Sequence, residues 1–125
     1  MTTLDLAGIY PPLATPFDES GKLAPDLLAD NVRRLVPTGL TGFAVLGSNG
    51  EYVLLDRDEK LLAIKTVRAA AGPLRVIAGT GAESTREAVI LTERAAALGV
   101  DAALVITPHY YRARMDARAL AAHYG

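Results

Sequence analysis

Residues 75–106, RVIAGTGAESTREAVILTERAAALGVDAALVI, place a helical pattern between two short apolar runs. The runs, residues 75–78 and 102–106, are continuously apolar rather than alternating. Short continuous runs of this kind mark strands buried on both faces, as in a parallel sheet. Between them, Ser84 and Glu87 have the spacing of a capping box. Ala88, Leu91, Ala95 and Leu98 then recur every three or four residues, and Gly99 provides a stop. The stretch reads as strand, helix, strand.

The same texture extends outward in both directions. Residues 42–46 form another run, followed by Asp56 as a cap with Glu59 three residues on. Leu61, Ile64, Val67 and Ala71 make the inward stripe of that helix, which Gly72 and Pro73 end. Residues 9–14 form the first run. Pro25 then suits a first helical turn, Leu28, Val32 and Leu35 give the stripe, and Gly39 the stop. Asp116 can cap a fourth helix. The strand starts are about 33, 33 and 27 residues apart, the size of a βα unit with its return loop. Four strand–helix repeats mean an α/β fold with a parallel sheet. They fit a small doubly wound sheet and equally half of an eight-stranded barrel, which takes about 250 residues.

Composition narrows the chemistry. The 125 residues include 13 basic and 14 acidic side chains, a net charge of −1. No basic excess is available for nucleic acid, which is not an expected partner. Half of the residues are apolar, so the chain can build a core. With no cysteine, disulfides, thiolate zinc sites and a cysteine nucleophile are excluded. Two histidines, His109 and His123, are too few for a multi-histidine metal cage, and no metal site is expected. No apolar run approaches the roughly 18 residues of a membrane span, so no membrane partner is expected. The N-terminal stretch lacks a basic region and carries Asp5 within its first apolar segment, unlike a signal peptide. The expected location is cytoplasmic.

Gly47-Ser48-Asn49-Gly50-Glu51 follows the second run, at the strand end where parallel α/β folds bind ligands. Ser48 and Asn49 offer a hydroxyl, a carboxamide and backbone N–H groups between glycines, a set suited to a small carboxylate. The alternative is a plain turn in which both side chains satisfy local backbone groups. A similar loop, Gly79-Thr80-Gly81-Ala82-Glu83, follows the third run. It begins like a dinucleotide fingerprint, but Ser84 stands where the third glycine belongs, so no nucleotide cofactor is expected.

Thr107-Pro108-His109-Tyr110-Tyr111-Arg112 follows the fourth run. Adjacent tyrosines on an extended chain point to opposite sides. One can enter a ligand mouth and relay protons, or both can serve a subunit contact. His109, Arg112 and Arg114 read as surface residues. An imine-forming lysine needs a depressed pKa, from burial or a nearby cation. Lys60 and Lys65 lie on a carboxylate-rich helix and Lys22 in a solvated turn, so none of the three lysines suits the role.

Four motifs stand in order along the chain: residues 8–17 (GIYPPLATPF), residues 47–51 (GSNGE), residues 78–81 (AGTG) and residues 107–111 (TPHYY). Together they resemble the dihydrodipicolinate synthase/N-acetylneuraminate lyase family. Within it, the Ser48-Asn49 pair and residues 110–115 (YYRARM) look most like 4-hydroxy-2-oxoglutarate aldolase.

The resemblance implies a (β/α)8 TIM barrel, of which residues 1–125 would be the N-terminal (β/α)4 half as one incomplete domain. It implies a homotetramer and a small keto-acid substrate. The implied chemistry is that of a class I aldolase, a lyase using a Schiff base with no metal or organic cofactor. Ser48 and Asn49 match the pair that holds the pyruvyl carboxylate. Tyr110 matches the catalytic tyrosine that crosses the tight dimer interface. Glu51 matches the acid that closes the loop motif. The family's Schiff-base lysine and principal tyrosine fall on its sixth and fifth strands, which would lie beyond Gly125. On this reading Val45, Ile77 and Val105 face inward without an opposite wall, and the outer strands are open edges. The half is then expected to pair with a second copy or a complementary half. The alternative is a non-catalytic half-barrel that oligomerises, or binds a keto acid without turnover.

Overall fold

The computed structural model describes residues 3–125. Its helices are α1 (Pro25–Leu35), α2 (Arg57–Ala70), α3 (Thr85–Ala97) and α4 (Ala117–Tyr124), and its strands are β1 (Gly42–Val45), β2 (Arg75–Gly79) and β3 (Ala102–Leu104). The strands are parallel in the order β1-β2-β3.

The capping chemistry holds, with one change. Asp56 accepts from the Glu59 N–H while Glu59 returns a bond to the Asp56 N–H, a full capping box. Asp116 caps α4 through the Ala119 N–H. Ser84 caps α3 through the Glu87 N–H, but the Glu87 carboxylate turns instead to the Arg57 guanidinium on α2. Half of that box is exchanged for a tie between neighbouring helices.

The expected first strand is reduced to one bridge, Pro12 to Ala44, beside β1. Thr41 donates to the Ile9 carbonyl, Ala44 to the Pro11 carbonyl and Leu13 to the Ala44 carbonyl. Residues 9–14 thus run parallel to β1, as the sequence predicts. Pro11 and Pro12 have no N–H to extend the ladder, so no strand forms there. The fourth run is also shorter than its apolar residues suggest, and pairing stops at Leu104.

Register decides which side chains meet the helices. Phe43 pairs with Val76, and Val45 with Ala78. All four are buried with Leu28, Val32, Ile64 and Val67 in one core between sheet and helices. The opposite face carries Ala44 and Ile77, and Leu104 there is 55% exposed. Of the three residues expected on the bare face, only Ile77 is there. Val45 is on the helix side, and Val105 lines a cleft with α3 and α4. The alternation follows from the pleat, and the expectation placed Val45 and Val105 in the wrong phase.

At the strand N-termini, Asp101 accepts from the Arg68 guanidinium at 3.1 Å and from the Val76 N–H at 2.8 Å. Arg68 also donates to the Leu74 carbonyl at 2.8 Å. The trio ties the end of α2 to the starts of β2 and β3. Asp101→Ala leaves the N–H of the buried Val76 without its acceptor. It is expected to destabilise the protein by about 1–3 kcal/mol in urea unfolding. An unchanged midpoint would mean that water replaces the carboxylate at no loss.

Candidate functional site

The polar loops gather at the C-terminal ends of the strands. Leu46, the residue after β1, adopts φ 62 although it is not glycine and is only 2% exposed. A left-handed residue there breaks the strand abruptly and turns the chain into Gly47. Ser48–Gly50 form one 3-10 turn, closed by the Gly50 N–H to the Gly47 carbonyl and the Glu51 N–H to the Ser48 carbonyl. The buried Thr15 hydroxyl donates to the Gly50 carbonyl at 2.6 Å, pinning this turn to the N-terminal segment.

Ser48 and Asn49 are exposed. Among the described residues, neither side chain has a hydrogen-bond partner, and neither caps the turn. The local backbone bonds of the plain-turn alternative are not made by either side chain, and both are open to solvent. Ser48 lines a shallow cleft of about 60 Å³ with Leu46, Gly47, Tyr52, Gly79, Gly81, Leu104 and Ile106. Glu51 also adopts a left-handed conformation, φ 53, and its carboxylate is exposed.

Tyr110 lies in an adjoining cleft of about 330 Å³ with Tyr52, Lys60, Gly81, Glu83, Ile106 and His109. The two clefts share Tyr52, Gly81 and Ile106 as a common wall. Tyr110 and Ser48 are therefore neighbours across that wall within one chain, not partners in one cavity. Tyr110 is 76% and Tyr111 69% exposed, and the rings meet edge to face at 5.0 Å between centroids. Arg112 and Arg114 are exposed in the short turn that follows.

Glu83 is the residue that the motifs did not single out. Its carboxylate accepts the Tyr110 N–H at 3.0 Å and the His109 N–H at 3.1 Å, and pairs with His109 Nδ1 at 3.1 Å. The Tyr110 N–H, and then the N–H and charge of His109, hold this carboxyl below the usual range. The available signal was the repeat of glycines followed by an acid in residues 47–51 and 79–83. Of the three lysines, Lys60 alone lines the Tyr110 cleft among the described residues. Lys22 and Lys65 are exposed, and the Lys60 amine stands 5.8 Å from the centre of the Tyr52 ring. Among the described residues no three His, Asp or Glu side chains cluster as metal ligands, and no helix is long and apolar enough to cross a membrane.

Parallel βα units with polar loops at the strand C-termini are shared by doubly wound sheets and barrels, and helices covering only one sheet face here agree with the barrel. The chain belongs to the dihydrodipicolinate synthetase family, whose model it matches over residues 5–125. It is 38% identical over 110 residues to a 4-hydroxy-tetrahydrodipicolinate synthase of Haloarcula marismortui, covering 88% of this chain and 36% of that protein. It matches the structure of Acinetobacter baumannii dihydrodipicolinate synthase complexed with pyruvate at a TM-score of 0.87 and 35% identity, covering 94% of this chain and 40% of that one. It matches Ruminococcus gnavus sialic acid aldolase at a TM-score of 0.87 and 28% identity, covering 94% and 38%. The fold corresponds to the N-terminal part of these barrels, and the chain spans about 40% of the length of the relatives it matches.

Proposed function

We propose that residues 1–125 form the carboxylate-binding portion of a Schiff-base lyase acting on pyruvate-derived keto acids. The unpartnered Ser48–Asn49 pair at the end of β1 carries this reading. Two donor side chains held at a strand terminus, with no protein acceptor, are prepared for an anion from outside the chain. The Ser48 cleft, at about 60 Å³, is too small to enclose a keto acid and needs a facing wall. Tyr110, exposed on the loop after β3, serves in this reading as a proton carrier in an assembled site.

The reactive amine comes from outside residues 1–125, since Lys22 and Lys65 are exposed and the half-buried Lys60 lies on the carboxylate-rich α2. In this chemistry the amine condenses with the ketone and expels water. The protonated imine then accepts the electron pair of the breaking C–C bond, and the resulting enamine is protonated before hydrolysis. We favour 4-hydroxy-2-oxoglutarate, cleaved to pyruvate and glyoxylate, with dihydrodipicolinate synthase-type condensation next. The favoured substrate rests on the Ser48-Asn49 pair and residues 110–115. The partly bare sheet face and the exposed Leu104 support assembly with a second copy or a complementary half, and also favour the non-catalytic half-barrel as a second reading.

Borohydride trapping with pyruvate separates the readings. In the complete protein, peptide mapping is expected to place the reduced adduct on a lysine other than Lys22, Lys60 and Lys65. An adduct on one of those three would overturn the assignment. Complete absence of an adduct would favour the non-catalytic reading.

A further inference from the structure

Between Val105 and Tyr111 the chain leaves the sheet and carries the exposed tyrosine pair. Pro108 has no N–H to donate. The Val105 carbonyl accepts from the Tyr124 hydroxyl at 3.1 Å, and Arg114 donates to the Tyr111 carbonyl at 2.8 Å. Among the described residues, every hydrogen bond to residues 106–110 comes from one group, the Glu83 carboxylate. It accepts the N–H of Tyr110 itself and of the residue before it, and its other oxygen takes His109 Nδ1. Two adjacent N–H groups converging on one carboxylate fix a peptide plane more firmly than a single bond does. Glu83 is itself placed by rigid neighbours. It follows Gly81, where a Cβ would lie 2.7 Å from the Ile106 nitrogen, and precedes the Ser84 cap of α3.

We infer that Glu83 is a positioning residue: it fixes the backbone of His109 and Tyr110 and thereby aims the Tyr110 phenol. The tyrosine has few other restraints, being 76% exposed with its ring against Tyr111 alone among aromatic neighbours. The carboxylate of Glu83 therefore converts a flexible strand-to-turn crossing into a defined platform. The catalytic consequence rests on the proposed role of Tyr110 as proton carrier. The anchoring itself does not.

The test uses the complete, assembled protein. In Glu83→Ala, amide hydrogen exchange at His109 and Tyr110 is expected to speed up at least about tenfold, with the β2 amides unchanged. Turnover of the keto acid should fall roughly 10- to 100-fold in kcat with little change in KM, as expected for a misplaced group that does not hold the substrate. Glu83→Gln keeps one acceptor oxygen and should recover part of both effects. Glu83→Ala combined with Tyr110→Phe should be no slower than Tyr110→Phe alone. Unchanged exchange at both amides would overturn the inference, as would fully additive losses in kcat or a normal kcat in Glu83→Ala. Full activity of Tyr110→Phe would instead remove the proton-carrier role of Tyr110, while the exchange measurement still decides whether Glu83 anchors the segment.

Discussion

Gly79→Ala is expected to destabilise the protein by about 3 kcal/mol or more, lowering its thermal midpoint by on the order of 10 °C. An added Cβ would stand 2.0 Å from the Leu46 carbonyl oxygen and 2.7 Å from its carbon. Overpacking against a side chain is relieved by a rotamer change, at about 1–3 kcal/mol. Here the obstacle is backbone. Leu46 is buried and held at φ 62, so its carbonyl cannot withdraw without moving Gly47 and Ser48. The substitution should thus damage the fold and the candidate site together. Gly47→Ala is the control. Its φ is −78 and nothing lies within 4 Å of the added carbon, so its midpoint should stay within about 0.5 kcal/mol of the parent. Differential scanning calorimetry of both variants checks the pair. Equal midpoints would show that the junction between β1 and β2 yields freely.

This close approach explains part of what the sequence could and could not express. Helix positions were legible because caps and stripes are local. Asp56, Ser84 and Asp116 each cap the helix they precede, and Ala88, Leu91 and Ala95 are buried as their spacing requires. Strand length was less legible, because hydrogen-bond supply depends on residues that apolarity does not report. Residues 9–14 are apolar enough for a strand, yet Pro11 and Pro12 remove the donors that would make one. Facing was misjudged for Val45 and Val105, since a continuous apolar run carries no period from which the buried side can be read.

The candidate site divides the same way. Ser48 and Asn49 could be put forward because they stand between glycines at the strand end where parallel α/β folds bind ligands. For Glu83 the only mark was the glycine-then-acid repeat of residues 47–51 and 79–83, because its partners are backbone N–H groups 26 and 27 positions away. Any residue but proline can supply an N–H, so the identities of His109 and Tyr110 carry no mark of such a bond. The left-handed turn at Leu46 was equally hidden. It occurs where glycine would be expected, and it is sustained by burial and by the space that Gly79 leaves open.

In the complete protein, Ser48→Ala and Asn49→Ala should each weaken pyruvate binding by about 1–3 kcal/mol, the loss for one polar contact to a charged ligand. That is roughly a 5- to 150-fold rise in Kd. Folding should be unaffected, because both side chains are exposed and bond to no described residue, so their removal orphans nothing in the protein. The double variant should fall short of the sum, since adjacent donors sharing one carboxylate partly substitute for each other. Thr15→Val acts on the same turn from behind. It removes the 2.6 Å bond to the Gly50 carbonyl without touching the binding side chains, so any loss of affinity it produces reports the rigidity of the loop. Isothermal titration with pyruvate, beside unfolding midpoints for every variant, separates these effects. Parent affinity in both single variants and in the double would show that the keto-acid carboxylate binds elsewhere, and would leave the loop after β1 as no more than a turn between strand and helix.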